Sequence, residues 1–378
     1  MNMQRLEPYL GMTIAIVLGV LIIAFSSTVT VVRTTTTATP TASSTLSALP
    51  SPSIPAIFNP ETSTTTVPKK VVPPKPTPTL APIQVAVPVP VSTPTPPSFS
   101  VSSAALDAAA LALRAALVNI ICHAPFGSGL HSMSGSGVFV DPKGIILTNA
   151  HIAQYFLLAD RNVSCTIRAG SPATDGYEAS LMYISPAWLS ANATVLTQAN
   201  PNGTGEYDFA FLAVTSSVNR NALPVSFPFI PLAATPPSIG TPVVIATYGA
   251  QFLESNQIQF SLFPTIVFGS VKDVFTFVVN TIDVLALGGS AAAQEGSSGG
   301  GVADASGKLV GTITTSTTKG TTDTRSLDAI TASYIRAEYA SETGRALDLL
   351  LAEPTATAIA DFAPQLPALE AIITANLP

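Results

Sequence analysis

The chain has 378 residues, with 16 Lys and Arg against 22 Asp and Glu and a formal net charge of −6 at pH 7. Only 10% of it is charged, well below ordinary soluble domains, and there is no basic surplus to hold a nucleic-acid backbone. Two cysteines are too few for a disulfide scaffold, no C-x-x-C spacing points to zinc, and no metal or cofactor is expected.

Residues 10–32 carry no charge and sit between Arg5 and Arg33. At about 1.5 Å per residue such a helix crosses the hydrocarbon of a bilayer. Ala24 and Ser26 are small residues at the spacing of a signal-peptidase site, so residues 1–33 read as a signal anchor or a removable signal peptide. Either form exports the rest of the chain, and the uncleaved form makes the membrane a partner through residues 10–32. Residues 34–100 then hold 16 prolines, many threonines and serines, and four charges, Glu61, Lys69, Lys70 and Lys75. Proline removes the amide donor that a ladder needs and favours extended conformations. Residues 34–102 are therefore expected to be a disordered stalk, with an extended reach on the order of 200 Å.

The Ala- and Leu-rich residues 103–117 read as a short helix. Strand signals lie at 116–122, 137–140, 144–148, 163–167, 177–184 and 209–214, and Asp141-Pro142-Lys143-Gly144 is a turn between two of them. A second group covers 242–247, 261–274, 275–284, 301–303 and 309–314. Short strands without βα alternation imply an all-β sandwich or barrel.

Three places in this stretch carry chemistry. In Gly296-Ser297-Ser298-Gly299-Gly300-Gly301, glycines flank Ser298 where a nucleophile needs a tight turn and converging backbone N–H groups. Ser297 has Glu295 two positions before it and is the poorer choice. The hexapeptide also fits G-x-S-x-G, but α/β-hydrolases place their histidine after the serine. Here His123, His131 and His151 all precede it. His151 ends the strand at 144–148 and can reach a cleft from a rigid element, whereas His131 lies in a loop and His123 comes after a buried strand. Of Asp160, Asp175, Asp208, Asp273 and Asp283, only Asp208 opens an apolar strand, where a carboxylate needs a hydrogen-bonded partner such as an imidazole. Asp175, beside Gly176 in a turn, reads as solvated.

The order His151, Asp208, Ser298, with residues 134–151, 208–214 and 296–302, resembles the chymotrypsin-like (trypsin-like) serine proteases, and within them the bacterial HtrA/Deg-type branch without a PDZ domain. The resemblance runs from about residue 116 to 335. It implies a double six-stranded Greek-key β-barrel of chymotrypsin-like form with the triad between the barrels. It also implies a serine endopeptidase that hydrolyses polypeptide substrates through an acyl-enzyme. His151 is then the base, Asp208 its orienting carboxylate, and the N–H groups of Gly296 and Ser298 the oxyanion hole. Ala292, six residues before Ser298, falls at the base of the specificity pocket. That implies a small or aliphatic residue before the scissile bond. Thr314, Thr315 and Ser316 match the strand that pairs with substrate backbone.

Departures temper the carry-over. Ser297 replaces the acid that a newly cut N-terminus pairs with, and Gly301 replaces the usual proline, which would loosen the loop. These features also fit an alternative, a catalytically inactive trypsin-fold binding or scaffolding module on the cell surface. The protease domain is expected over 103–351, with a helix at 334–351, and a C-terminal tail over 352–378. Cys122 and Cys165 fall on first-barrel strands of an exported domain, which implies a disulfide, two buried thiols being the other outcome.

Overall fold

The computed structural model describes residues 102–198, 203–277, 279–316 and 319–377. The expected anchor, with its uncharged run 10–32, and the stalk up to residue 101 lie outside them. Among the described residues no helix is long and apolar enough to cross a membrane.

Helix α1 (Ser103–Ala116) starts where the Ser102 hydroxyl accepts the Ala105 N–H at 3.2 Å, and it buries Ala109, Leu113 and Ala116. The chain then runs through β1 (Leu117–His123), β2 (Met133–Asp141), β3 (Ile145–Thr148), helix α2 (Ala150–Ala153), β4 (Ser164–Gly170), β5 (Ala173–Ile184), helix α3 (Pro186–Ala191) and β6 (Ala210–Ser217). These strands close into an antiparallel barrel in the order β1-β2-β3-β6-β5-β4. The turn between β2 and β3 is the one expected: Asp141 Oδ1 accepts the Lys143 N–H, and Gly144 takes φ +86°, which favours glycine. Cys122 and Cys165 face each other across β1 and β4, and their sulfurs are bonded.

A second sheet comes next in the chain: β7 (Pro242–Thr247), helix α4 (Ser255–Phe260), β8 (Thr265–Ser270), β9 (Asp273–Phe275), β10 (Val284–Ala286), β11 (Gly301–Asp304), β12 (Leu309–Ser316) and β13 (Leu327–Thr331). Its order is β8-β7-β11-β12-β13-β10-β9, seven strands and open. This corrects the expected second six-stranded barrel, and the reason is local. The two outer strands are consecutive pieces of one stretch of chain. At the break, Val271 N–H donates to Thr241 and Lys272 N–H to Ala286, so the chain changes partner there. A continuous strand would close the sheet; this one is cut in two as it passes from β7 to β10.

Helix α1 packs on β7 and β11, where Leu113 meets the second sheet. At the C-terminus, α5 (Ala332–Thr343) is capped by the Thr331 hydroxyl and stops at Gly344, φ +69°. The single helix expected over 334–351 is therefore two, the second being α6 (Leu347–Ala352). The expected tail 352–378 is also corrected. Helices α7 (Thr355–Phe362) and α8 (Leu366–Thr374) occupy it and bury Ala358, Phe362, Leu369 and Ile373, an apolar stripe at four- and seven-residue spacing. Phe362 lies 6.1 Å from Tyr183, itself 5.6 Å from Phe209 and 4.8 Å from Tyr339. Each such pair adds about 0.5–1.5 kcal/mol beyond burial, so these helices are part of the first barrel's core.

Candidate active site

Antiparallel register explains why residues 57 positions apart meet. Thr148, at the end of β3, pairs with Ala210 at the start of β6. His151 is three residues beyond the first and Asp208 two before the second, so both leave the barrel at the same end. Asp208 is 4% exposed. Its Oδ1 accepts the His151 backbone N–H at 2.9 Å, and its Oδ2 lies 2.7 Å from His151 Nδ1. Thr314 from β12 donates its hydroxyl to the same Oδ2 at 2.7 Å. Asn149 donates to the Asp208 carbonyl at 2.8 Å. A carboxylate only accepts, so Nδ1 of a neutral imidazole carries the proton. Nε2 is then the lone-pair nitrogen, on a half-buried ring.

The loop that delivers Asp208 is also braced. Gly205 sits at φ +86° with Thr314 Cγ2 only 2.8 Å from where a Cβ would be, and Tyr207 N–H donates to the Tyr334 hydroxyl of α5 at 3.0 Å. Burial raises the Tyr334 pKa further above the usual phenol value, keeping its hydroxyl protonated.

Ser298 lies on the turn before β11. Its neighbour Ser297 is 1% exposed, its hydroxyl 3.3 Å from that of Thr247, whereas Ser298 is half-buried. The sequence choice between the two serines therefore agrees with which one is accessible. Two ties hold the turn against the His151–Asp208 pair. Ser136 of β2 donates its N–H to the Ser298 carbonyl and its hydroxyl to the Gly296 carbonyl, both at 2.8 Å, while its own carbonyl accepts the Thr148 hydroxyl. On the other side, Gly299 N–H donates to Ile313, the neighbour of Thr314, at 2.8 Å. Ser298 is thus bracketed between the segment leading to His151 and the residue that binds Asp208. Its hydroxyl makes no hydrogen bond among the described residues.

The turn needs its glycines. Gly299, at φ +82°, would place a Cβ 1.9 Å from the Ser136 carbonyl oxygen. At Gly301 a Cβ would meet Leu113, Leu309 and Val138 within 2.9 Å. The expectation that Gly301 loosens the loop is therefore wrong: it opens β11 against α1 with no space to spare. The N–H groups of Gly296 and Ser298 donate to no acceptor among the described residues, which leaves two donors for an oxyanion.

Ala292 is fully buried. The backbones of Thr315 and Ser316 pair with β13 at Asp328 and Leu327, while β11 stops pairing with β12 at Thr312, so the other edge of residues 314–316 carries no strand among the described residues. The side chains of Thr315 and Ser316 are outside the described set. His123 and His131 are exposed and apart from this cluster. Asp175, expected to be solvated, is exposed and is also ion-paired with the buried Arg168 at 3.0 Å. Ser136 was not singled out by sequence; its only signal was the Ser-Gly-Ser-Gly run at 134–137, which looks like a flexible strand edge. Arg325, buried and hydrogen-bonded to Ala293 at 2.8 Å, lies in a polar loop that gives no periodic signal.

Residues 135–311 match the family described as trypsin-like peptidase domain. No curated protein matches the chain. Among solved structures, the active form of the Rv3671c protease of M. tuberculosis is similar at 20% identity and TM-score 0.39, covering 68% of this chain and 95% of that one. An inactive serine-to-alanine form of Rv3671c from M. tuberculosis H37Rv gives 18% identity and TM-score 0.40, over 66% and 97%. Residues 135–311, a little under half of the chain, are thus similar to trypsin-like peptidase domains.

Proposed function

We propose that the chain is a serine endopeptidase, with Ser298 as nucleophile, His151 as general base and Asp208 as the group that orients and stabilises the imidazole. The observation that carries this reading is the Asp208–His151 Nδ1 hydrogen bond at 2.7 Å, set beside a serine turn whose Gly296 and Ser298 N–H groups are unspent. His151 Nε2 takes the Ser298 proton as Oγ attacks the peptide carbonyl, and later returns it to the leaving amine. The open edge of residues 314–316 receives the substrate backbone as an added strand. Residues 10–32 and 34–102 supply a membrane anchor and stalk, which put the domain outside the cytoplasm.

A fluorophosphonate probe tests the catalytic reading. Labelling of the full chain that vanishes in Ser298→Ala is expected. A folded, unlabelled wild type would instead support a binding module on the same fold, a reading favoured by one observation: the Ser298 hydroxyl is not hydrogen-bonded to His151.

A further inference from the structure

Two arginines are buried among the described residues, and they are neutralised differently. Arg168 has the Asp175 carboxylate at 3.0 Å. Arg325, 5% exposed, has no carboxylate at ion-pair distance among the described residues. Its Nε donates to the Gly320 carbonyl at 3.1 Å, and its Nη1 to Gln251 Oε1 at 2.6 Å and the Ala293 carbonyl at 2.8 Å. Phe252 lies under the guanidinium, 5.6 Å from ring centre to carbon. Nη2, with two of the five N–H donors, has no protein acceptor among the described residues and is not sealed from solvent.

The location gives this unfinished cation a role. Ala293 is five residues before Ser298. Gln251 comes directly after Ala250, whose N–H donates to the Glu295 carbonyl on the serine turn at 2.8 Å. Two residues after Arg325, Leu327 pairs with Ser316 of β12. The guanidinium therefore sits where three segments converge beside the nucleophile: residues 290–297, the open edge 314–316, and 325–327. A buried charge held only by neutral acceptors remains costly, and a planar fork with free donors favours a carboxylate above other anions of a peptide.

We propose that Arg325 makes this pocket selective for an acidic side chain, so that the substrate presents Asp or Glu immediately before the scissile bond and its carboxylate binds Nη2. The proposal rests on the protease reading and replaces the expectation of a small or aliphatic residue there. Ala292 supplies the small wall, and Arg325 the charge.

The test is peptide binding to the full-length Ser298→Ala protein in detergent, which needs no turnover. Four peptides are compared that differ only in a C-terminal Glu, Asp, Leu or Lys, so the terminal carboxylate is common to all. Glu and Asp ends are expected to bind about tenfold or more tightly than Leu, as a charge-assisted hydrogen bond implies, with Lys weakest. Arg325→Met should remove the preference. If that variant does not fold, Arg325→Lys, which keeps the charge and loses the fork, should reduce it without reversing it. Equal affinity for Glu and Leu ends, no binding of any peptide, or a preference unchanged in a folded Arg325 variant would overturn the proposal. Fluorophosphonate labelling of the wild type reports separately on the protease reading, so the two failures are distinguishable.

Discussion

The two sheets build their shares of the site by the same geometric rule and with different chemistry. In the first barrel, β3 ends opposite the start of β6, and side chains from just beyond the pair, His151 and Asp208, meet there. In the second, β12 runs on past the start of β11, Gly301 pairing with Thr312, and what gathers is mostly backbone: the N–H groups of Gly296 and Ser298 and the open edge 314–316. Where an antiparallel pair runs out, the backbone loses its ladder partners and becomes free to bind. The first half relies on functional groups held by hydrogen bonds, the second on the absence of side chains. Changing a functional group should therefore damage the first half, and adding a Cβ the second.

The largest expected effect is in the first half. Asp208→Asn keeps the size of the side chain, yet an amide in place of a carboxylate no longer fixes the proton on His151 Nδ1. Fluorophosphonate labelling should slow by about 10,000-fold with the melting temperature nearly unchanged. A variant labelled as fast as the wild type would remove Asp208 from the mechanism. In the second half, Gly299→Ala should lower stability by about 3 kcal/mol and abolish labelling, because left-handed strain adds to a collision with immovable backbone. Gly307→Ala is the control: φ is +73° there, with nothing within 4 Å of the added Cβ. It should cost about 1 kcal/mol of strain, measured by urea unfolding. Equal losses at the two glycines would mean that φ alone matters and the packing of the turn does not.

The same contrast decides what could be read from sequence. His151, Asp208 and Ser298 were legible because each lies in a short motif whose chemistry demands its neighbours: a strand end, an apolar strand start, a glycine turn. The Cys122–Cys165 pair was legible only as two cysteines on strands of a domain expected to be exported; the register that sets them opposite each other came from the fold. Arg325 was not legible, since Lys319 to Arg325 is a polar run and only the fold buries its last residue. Ser136 was hidden for a related reason: four hydrogen bonds converge on it, and all four partners are distant in the chain or on backbone. Helices α7 and α8 were missed because alanine and proline dominate them, and their stripe of Phe362, Leu369 and Ile373 makes sense only against Tyr183 and its neighbours. The cut between β8 and β9 depends on a change of partner, which no local pattern records.

Where the two halves lean on a common element, the smallest effect is expected, and its sign can be worked out. Helix α5 leaves the second sheet and reaches the Asp208 loop through Tyr334, and it carries Glu338. Burial, then the nearby carboxylates of Glu342, Asp283 and Glu206, raise the Glu338 pKa above the usual carboxylate value. The folded state therefore holds the Glu338 proton more tightly than the unfolded state does. Below the unfolded carboxylate pKa, near 4.3, the group is neutral in both states and costs nothing. As pH rises from there through the raised folded value, ionisation penalises the folded state, and stability declines. Glu338→Gln should thus melt higher than the wild type at neutral pH, and the gap should close on acidification. Because the side chain is only partly buried, solvent screens the repulsion and the gap should be small. Melting curves across pH 4–8 check it. A gap that persists unchanged at the acid end would trace the gain to packing on α5, and a lower melting temperature at neutral pH would show that the Glu338 carboxylate supports the seam between the sheets.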